Sequence, residues 1–140
     1  MARSGASVDG DGPGMTQRTA KRLNDRLYKA NRKIAYDRAG GRCEACHRPL
    51  HDFEAHHRRY RSRGLDHSVG NLLILCHDLD WHGCRVHHAI HTDPDYDSLG
   101  RGYQISQWDT RLPSEIPVTL WDGRRVYLTA AGYVDAADAA

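Results

Sequence analysis

From about Thr16 onward, apolar residues recur at helical spacing: Leu23, Leu27, Ala30 and Ile34 fall on one stripe, and the run stops at Gly40-Gly41. The spacing predicts an amphipathic helix over residues 17–39, with Arg18, Lys21, Arg22, Arg26, Lys29, Arg32 and Lys33 on its other faces. The period then changes. A turn at Cys43-Glu44-Ala45-Cys46 precedes a short strand at 53–58, a polar arginine-rich loop, and a second strand at 72–75 leading into Cys76. After an irregular stretch at 77–83, a short helix is expected over about 85–92, with Asp93-Pro94 as its stop. Further on, Val118-Thr119-Leu120-Trp121, then Asp122-Gly123, then residues 124–129 form a hairpin signal, with Trp121 and Tyr127 expected to cover the core. Residues 1–15, with Gly5, Gly10, Gly12, Pro13 and Gly14, read as a flexible tail, and 134–140 as an Ala/Asp tail with no assignable role.

A length of 140 residues matches one domain, here 16–133, and no period of about 20 to 50 residues suggests a repeat architecture. A two-domain enzyme is excluded. Only 24 of the 140 residues are Leu, Ile, Val or Phe, which is thin for a self-sufficient core. Disorder would go with high net charge, but 20 basic and 18 acidic residues leave +2, so something besides apolar burial is expected to hold the chain. All four cysteines and all ten histidines fall between Cys43 and His91. The longest apolar stretch, Leu72-Leu73-Ile74-Leu75-Cys76, is far short of a membrane span, and no secretory stretch is seen. The chain therefore reads as soluble and cytoplasmic, where clustered cysteines are metal ligands rather than disulfides.

Net charge hides an asymmetry. Residues 16–63 carry 14 Lys/Arg and 5 Asp/Glu, whereas 64–140 carry 5 and 11. A basic half beside a Cys/His cluster suggests a polyanionic partner, nucleic acid first, against the plainer alternative of a solvated basic helix face.

Cys43 and Cys46 form a C-x2-C knuckle whose spacing lets two thiolates hold one tetrahedral zinc. Cys76 and Cys84 supply a second pair, giving a structural four-cysteine zinc site that would compensate for the thin core. The alternatives are buried reduced thiols, or His47, His77 or His82 in place of one cysteine. His87 and His91, spaced i, i+4, share one helix face as two ligands of one metal would; His88 with His91 is the competing register. His56 and His57 are adjacent on a strand and point to opposite faces, so one can ligate while the other serves a different target.

Taken together, Gly41-Arg42-Cys43-Glu44-Ala45-Cys46, Glu54-Ala55-His56-His57-Arg58, Gly70-Asn71-Leu72-Leu73-Ile74-Leu75-Cys76 and His87-x3-His91 resemble the HNH (ββα-metal) nuclease family, in the cysteine-rich form of small phage endonucleases. The resemblance covers roughly residues 38–94 and, more weakly, the C-terminal hairpin. It implies an α+β fold: a ββα-metal, treble-clef-like core over about 40–94, with an N-terminal basic helix and a C-terminal β-hairpin. It further implies that His57 is the general base, that His56, His87 and His91 hold one catalytic divalent ion (Mg, Mn, Ni or Zn), and that Asn71 braces the loop between the strands. The implied reaction is hydrolysis of double-stranded DNA to 5′-phosphate and 3′-hydroxyl ends, in the cytoplasm of a bacterial host if the chain is phage-encoded. Its phage type alone also suggests action with DNA-packaging proteins.

One departure stands out: many relatives have a second C-x2-C pair followed directly by a histidine, whereas here Arg85-Val86 separates Cys84 from His87, so His82 or His88 competes for the helix-side ligand position. Arg58, Arg59, Arg61 and Arg63 follow the expected base and are expected to contact phosphates. A function of another class, a non-catalytic zinc module binding nucleic acid or protein, would use the four cysteines and the basic half but would need no base at His57.

Overall fold

The computed structural model describes residues 16–60 and 66–137, an α+β arrangement of two helices and two small antiparallel sheets among the described residues. The expected tail at 1–15, together with Arg61 and Arg63, lies outside them. Helix α1 spans Gln17–Arg38. Its N-cap is Thr16, whose hydroxyl accepts from the Thr19 amide at 3.1 Å, and its end is set by Gly40 and Gly41, both at positive φ, with the Gly41 amide donating to Tyr36 O. The helix forms as expected, but its Leu23, Leu27, Ala30 and Ile34 stripe is exposed, and the face that packs inward carries Tyr28, Ala35, Tyr36 and Ala39 instead. Ala35 is inaccessible and Tyr36 stacks on Phe53 at 4.7 Å, while Leu23 and Leu27 stay about half exposed.

Strand β1 (Phe53–His57) pairs antiparallel with β2 (Leu72–Cys76), placing His56 opposite Leu73 and Phe53 opposite Cys76. All five residues of β2 are buried, the continuous apolar run expected of a strand covered on both faces. Helix α2 (Val86–Thr92) buries Ile90 against this layer and begins after Arg85, which sits in the left-handed region at φ 61°. No helix is long and apolar enough to cross a membrane among the described residues.

A meander of β3 (Val118–Thr119), β4 (Arg125–Thr129) and β5 (Gly132–Asp135) forms the second sheet, with Gly123 at φ 90° in the first turn. Two expectations are corrected here. Val134 and Asp135 belong to β5, paired with Tyr127 and Val126, rather than to a tail. Strand alternation sends Val126 and Leu128 into the core and leaves Tyr127 half-buried on the other face, whereas Trp121 packs against the core as expected and also stacks flat on His47, ring centroids 3.9 Å apart.

Two buried ionic hubs supplement the small core. Glu44, inside the Cys43–Cys46 knuckle, takes a bidentate contact from Arg38 (2.7 and 3.1 Å), the Ile74 amide at 2.8 Å and the Tyr133 hydroxyl at 2.7 Å, tying knuckle, α1, β2 and β5 together. Arg58 is the second hub. Its fully buried guanidinium donates to four carbonyls, Gly102, Gly70, Pro113 and Ile116, at 2.6–2.9 Å, stapling the C-terminal segments to the strand pair. Gly102 is required at this contact, because its φ is +76° and a Cβ there would lie 2.0 Å from Pro117 O.

Candidate metal centres

The cysteine cluster is built by the knuckle after α1 and by the two ends of the segment leaving β2. Cys43 Sγ lies 3.7 Å from Cys84 Sγ, Cys46 Sγ lies 3.5 Å from Cys76 Sγ, and all four sulfurs fall within 4.8 Å of one another. A tetrahedral zinc with bonds of about 2.3 Å requires sulfurs about 3.8 Å apart, so the donor set and spacing fit a structural zinc. As neutral thiols the four crowd one another. The hydrogen bond with Cys84, together with burial, raises the Cys43 thiol well above its ordinary range, and burial pushes Cys76 up to about 12. A cation among them would reverse that balance. The histidines considered as substitutes lie elsewhere: His47 stacks on Trp121, His77 pairs with Glu54 at 3.4 Å, and His82 is exposed.

A second cluster joins β1 to α2. One ring nitrogen from each of His56, His87 and His91 lies within 4.8 Å of the others. The one-turn spacing of His87 and His91 brings their rings to 4.7 Å, and His56 meets them at 5.3 and 5.5 Å. His88 is exposed and outside the group, as is His82. Two of the three rings are held by an outer nitrogen: His56 Nε2 is 2.7 Å from Tyr103 O, and His87 Nδ1 is 2.9 Å from Asp78 Oδ2. Imidazoles tied on one side and converging on the other are a donor set for a divalent transition ion or zinc. Burial, with a smaller contribution from His87 and His91, holds His56 neutral by lowering its pKa to about 3; burial and His87 lower that of His91 as well. Neutral imidazole is the ligating form.

These three histidines line a cleft of about 390 Å³ whose walls also include His57, Tyr28 of α1 and Glu54. His57 is thus a neighbour of the cluster although its ring takes different partners: Nε2 lies 3.0 Å from His67 Nδ1, and the ring stacks on Tyr28 at 5.4 Å. Asn71 is inaccessible. Its Oδ1 accepts the Arg59 amide at 2.7 Å and its Nδ2 donates to Asp66 O at 2.8 Å, pinning both ends of the loop that follows β1.

Of the arginines expected to contact phosphates, Arg58 departs from expectation. Arg58 does not face solvent or a phosphate; four carbonyls take its guanidinium, and burial, with Arg38 near, lowers its pKa to about 9, leaving it charged at neutral pH. Arg59 is half-buried and spends Nη2 on Asp109 O and Arg111 O at 3.0 and 2.9 Å. Arg61 and Arg63 lie outside the described residues. Sequence reasoning missed His67, Tyr28, Glu54 and Asp78, which surround the histidines. Two of them had a local signal: Glu54 lies in the motif that carries His56 and His57, and Asp78 lies between the second pair of cysteines.

The chain matches no protein-family profile, no curated protein and no solved structure in the comparisons made. The class defined by fold and donor sets is that of a small α+β chain with a four-cysteine cluster able to hold a structural metal such as zinc.

Proposed function

We propose that the chain is a metal-dependent DNA endonuclease of the ββα-metal (HNH) type. What carries the reading is the gathering of His56, His87 and His91 beside His57 in one cleft, separate from a cysteine cluster that already accounts for a structural zinc. Structural zinc sites are closed by four protein ligands, whereas a site that works on substrate keeps a position open, and three histidines leave one. His57 takes a proton from water, whose oxygen attacks phosphorus; the P–O3′ bond breaks and the departing O3′ takes a proton from solvent, leaving a 5′-phosphate and a 3′-hydroxyl. A divalent ion held by His56, His87 and His91 supplies charge stabilisation at the phosphate when bound. Tyr28 and His67 fix the His57 ring, and Asn71 holds the backbone two residues further on. With Arg58 committed inside the fold, the basic face of α1 is the best electrostatic contact for the DNA backbone.

The test is cleavage of supercoiled plasmid by zinc-loaded protein with added Mg, Mn, Ni or Zn ions. Nicked or linear product that chelation prevents, with ends that a ligase seals without prior phosphorylation, is expected. Salt-sensitive DNA binding with no cleavage in any of these ions would favour the non-catalytic zinc module instead.

A further inference from the structure

Asp78 belongs to neither donor set, yet it sits between them. It lies two residues after Cys76, in the segment that Cys84 closes, and its Oδ2 is 2.9 Å from His87 Nδ1. Its other oxygen, Oδ1, is buried and has no hydrogen-bond partner. Glu54 approaches from β1, so that ligating atoms of Glu54, Asp78 and His87 come within 4.8 Å of one another. A carboxylate that accepts one ring N–H of a histidine fixes the tautomer and rotation of the ring and raises the basicity of the opposite nitrogen.

We propose that Asp78 is a positioning residue that couples the two metal centres: the segment between Cys76 and Cys84 holds it against His87 Nδ1, so that His87 Nε2 is presented to the cation shared with His56 and His91. The inference rests on reading those three histidines as a cation site. The backbone makes the coupling local, because His87 is three residues beyond Cys84 at the start of α2. A zinc that orders the cysteine loop thereby orders both the carboxylate and the helix it meets. By reciprocity, an ion among the histidines strengthens zinc retention by the same factor.

The experiment is titration of zinc-loaded protein with Ni²⁺, without DNA, followed calorimetrically, with bound zinc quantified before and after. Asp78→Ala, which removes the acceptor, is expected to weaken Ni²⁺ binding about 10- to 100-fold with one zinc retained and an unchanged circular dichroism spectrum. Asp78→Asn, which keeps an acceptor oxygen without the charge, should lose less. Ni²⁺ affinity of Asp78→Ala within twofold of wild type overturns the proposal, and so does loss of zinc together with nickel, which would make Asp78 a structural residue of the loop. Wild-type protein that takes up no Ni²⁺ beside its zinc overturns the cation site itself and this inference with it. Tight Ni²⁺ binding, weakened in Asp78→Ala, in a protein that never cuts DNA supports the coupling while removing only the nuclease reading.

Discussion

The four cysteines come from the knuckle after α1 and from the segment leaving β2, the three histidines from β1 and α2, and the surroundings of the two clusters differ. Cys43 and Cys76 are buried, and the Glu44 hub inside the knuckle binds three other elements. The histidines open onto a cleft, from the buried His56 to the exposed His91, and the outer nitrogens of His56 and His87 are held by a carbonyl and a carboxylate. The lesson is that the number of donors distinguishes a cluster that can close around a metal from one that leaves a position open. Exposure does not separate the two, since each includes one exposed donor, Cys46 and His91.

That contrast can be broken most severely at the cysteines. Cys43→Ser, or chelation of the zinc, is expected to unfold the protein, since structural zinc contributes on the order of 10 kcal/mol to a small domain; His91→Ala should leave the circular dichroism spectrum intact. Next come the hubs. Arg58→Met and Glu44→Ala each strand buried polar partners and should cost about 3–5 kcal/mol in denaturant unfolding, with no effect of salt on the loss. A pH dependence follows from the low pKa of His56. The unfolded chain takes up a proton near pH 6.5 while the folded chain does so only near 3, so stability falls as the pH drops through that window. The slope for this one group is at most about 1.4 kcal/mol per pH unit, and the difference between wild type and His56→Gln isolates it. The mildest change is on the basic helix. Arg22→Ala should shift stability by less than about 0.5 kcal/mol yet lower the salt dependence of DNA binding by about 0.9 in the logarithmic slope.

Much of this frame was legible locally. The spacing from Leu23 to Ile34 marked the span of α1 to within one residue but not its packed face, the apolar run 72–75 marked β2, and the one-turn spacing of His87 and His91 matches the pair that the fold brings to His56. What escaped was decided by distant carbonyls and turns. Arg58 sits in a run of arginines that reads as a solvated loop; its burial depends on Gly102, Pro113 and Ile116, 44 to 58 residues further along. β5 was hidden because residues 132–135 carry few apolar side chains and are recruited by pairing with β4. Asp78 reaches His87 only through the fold of an irregular segment, which no periodicity encodes.

The most direct measurement of the central claim is plasmid cleavage by His57→Ala set against wild type, both zinc-loaded and with the same added divalent ion. The account predicts a fall of about 10²- to 10⁴-fold in rate, with folding and metal content unchanged; undiminished cleavage by the variant would contradict it.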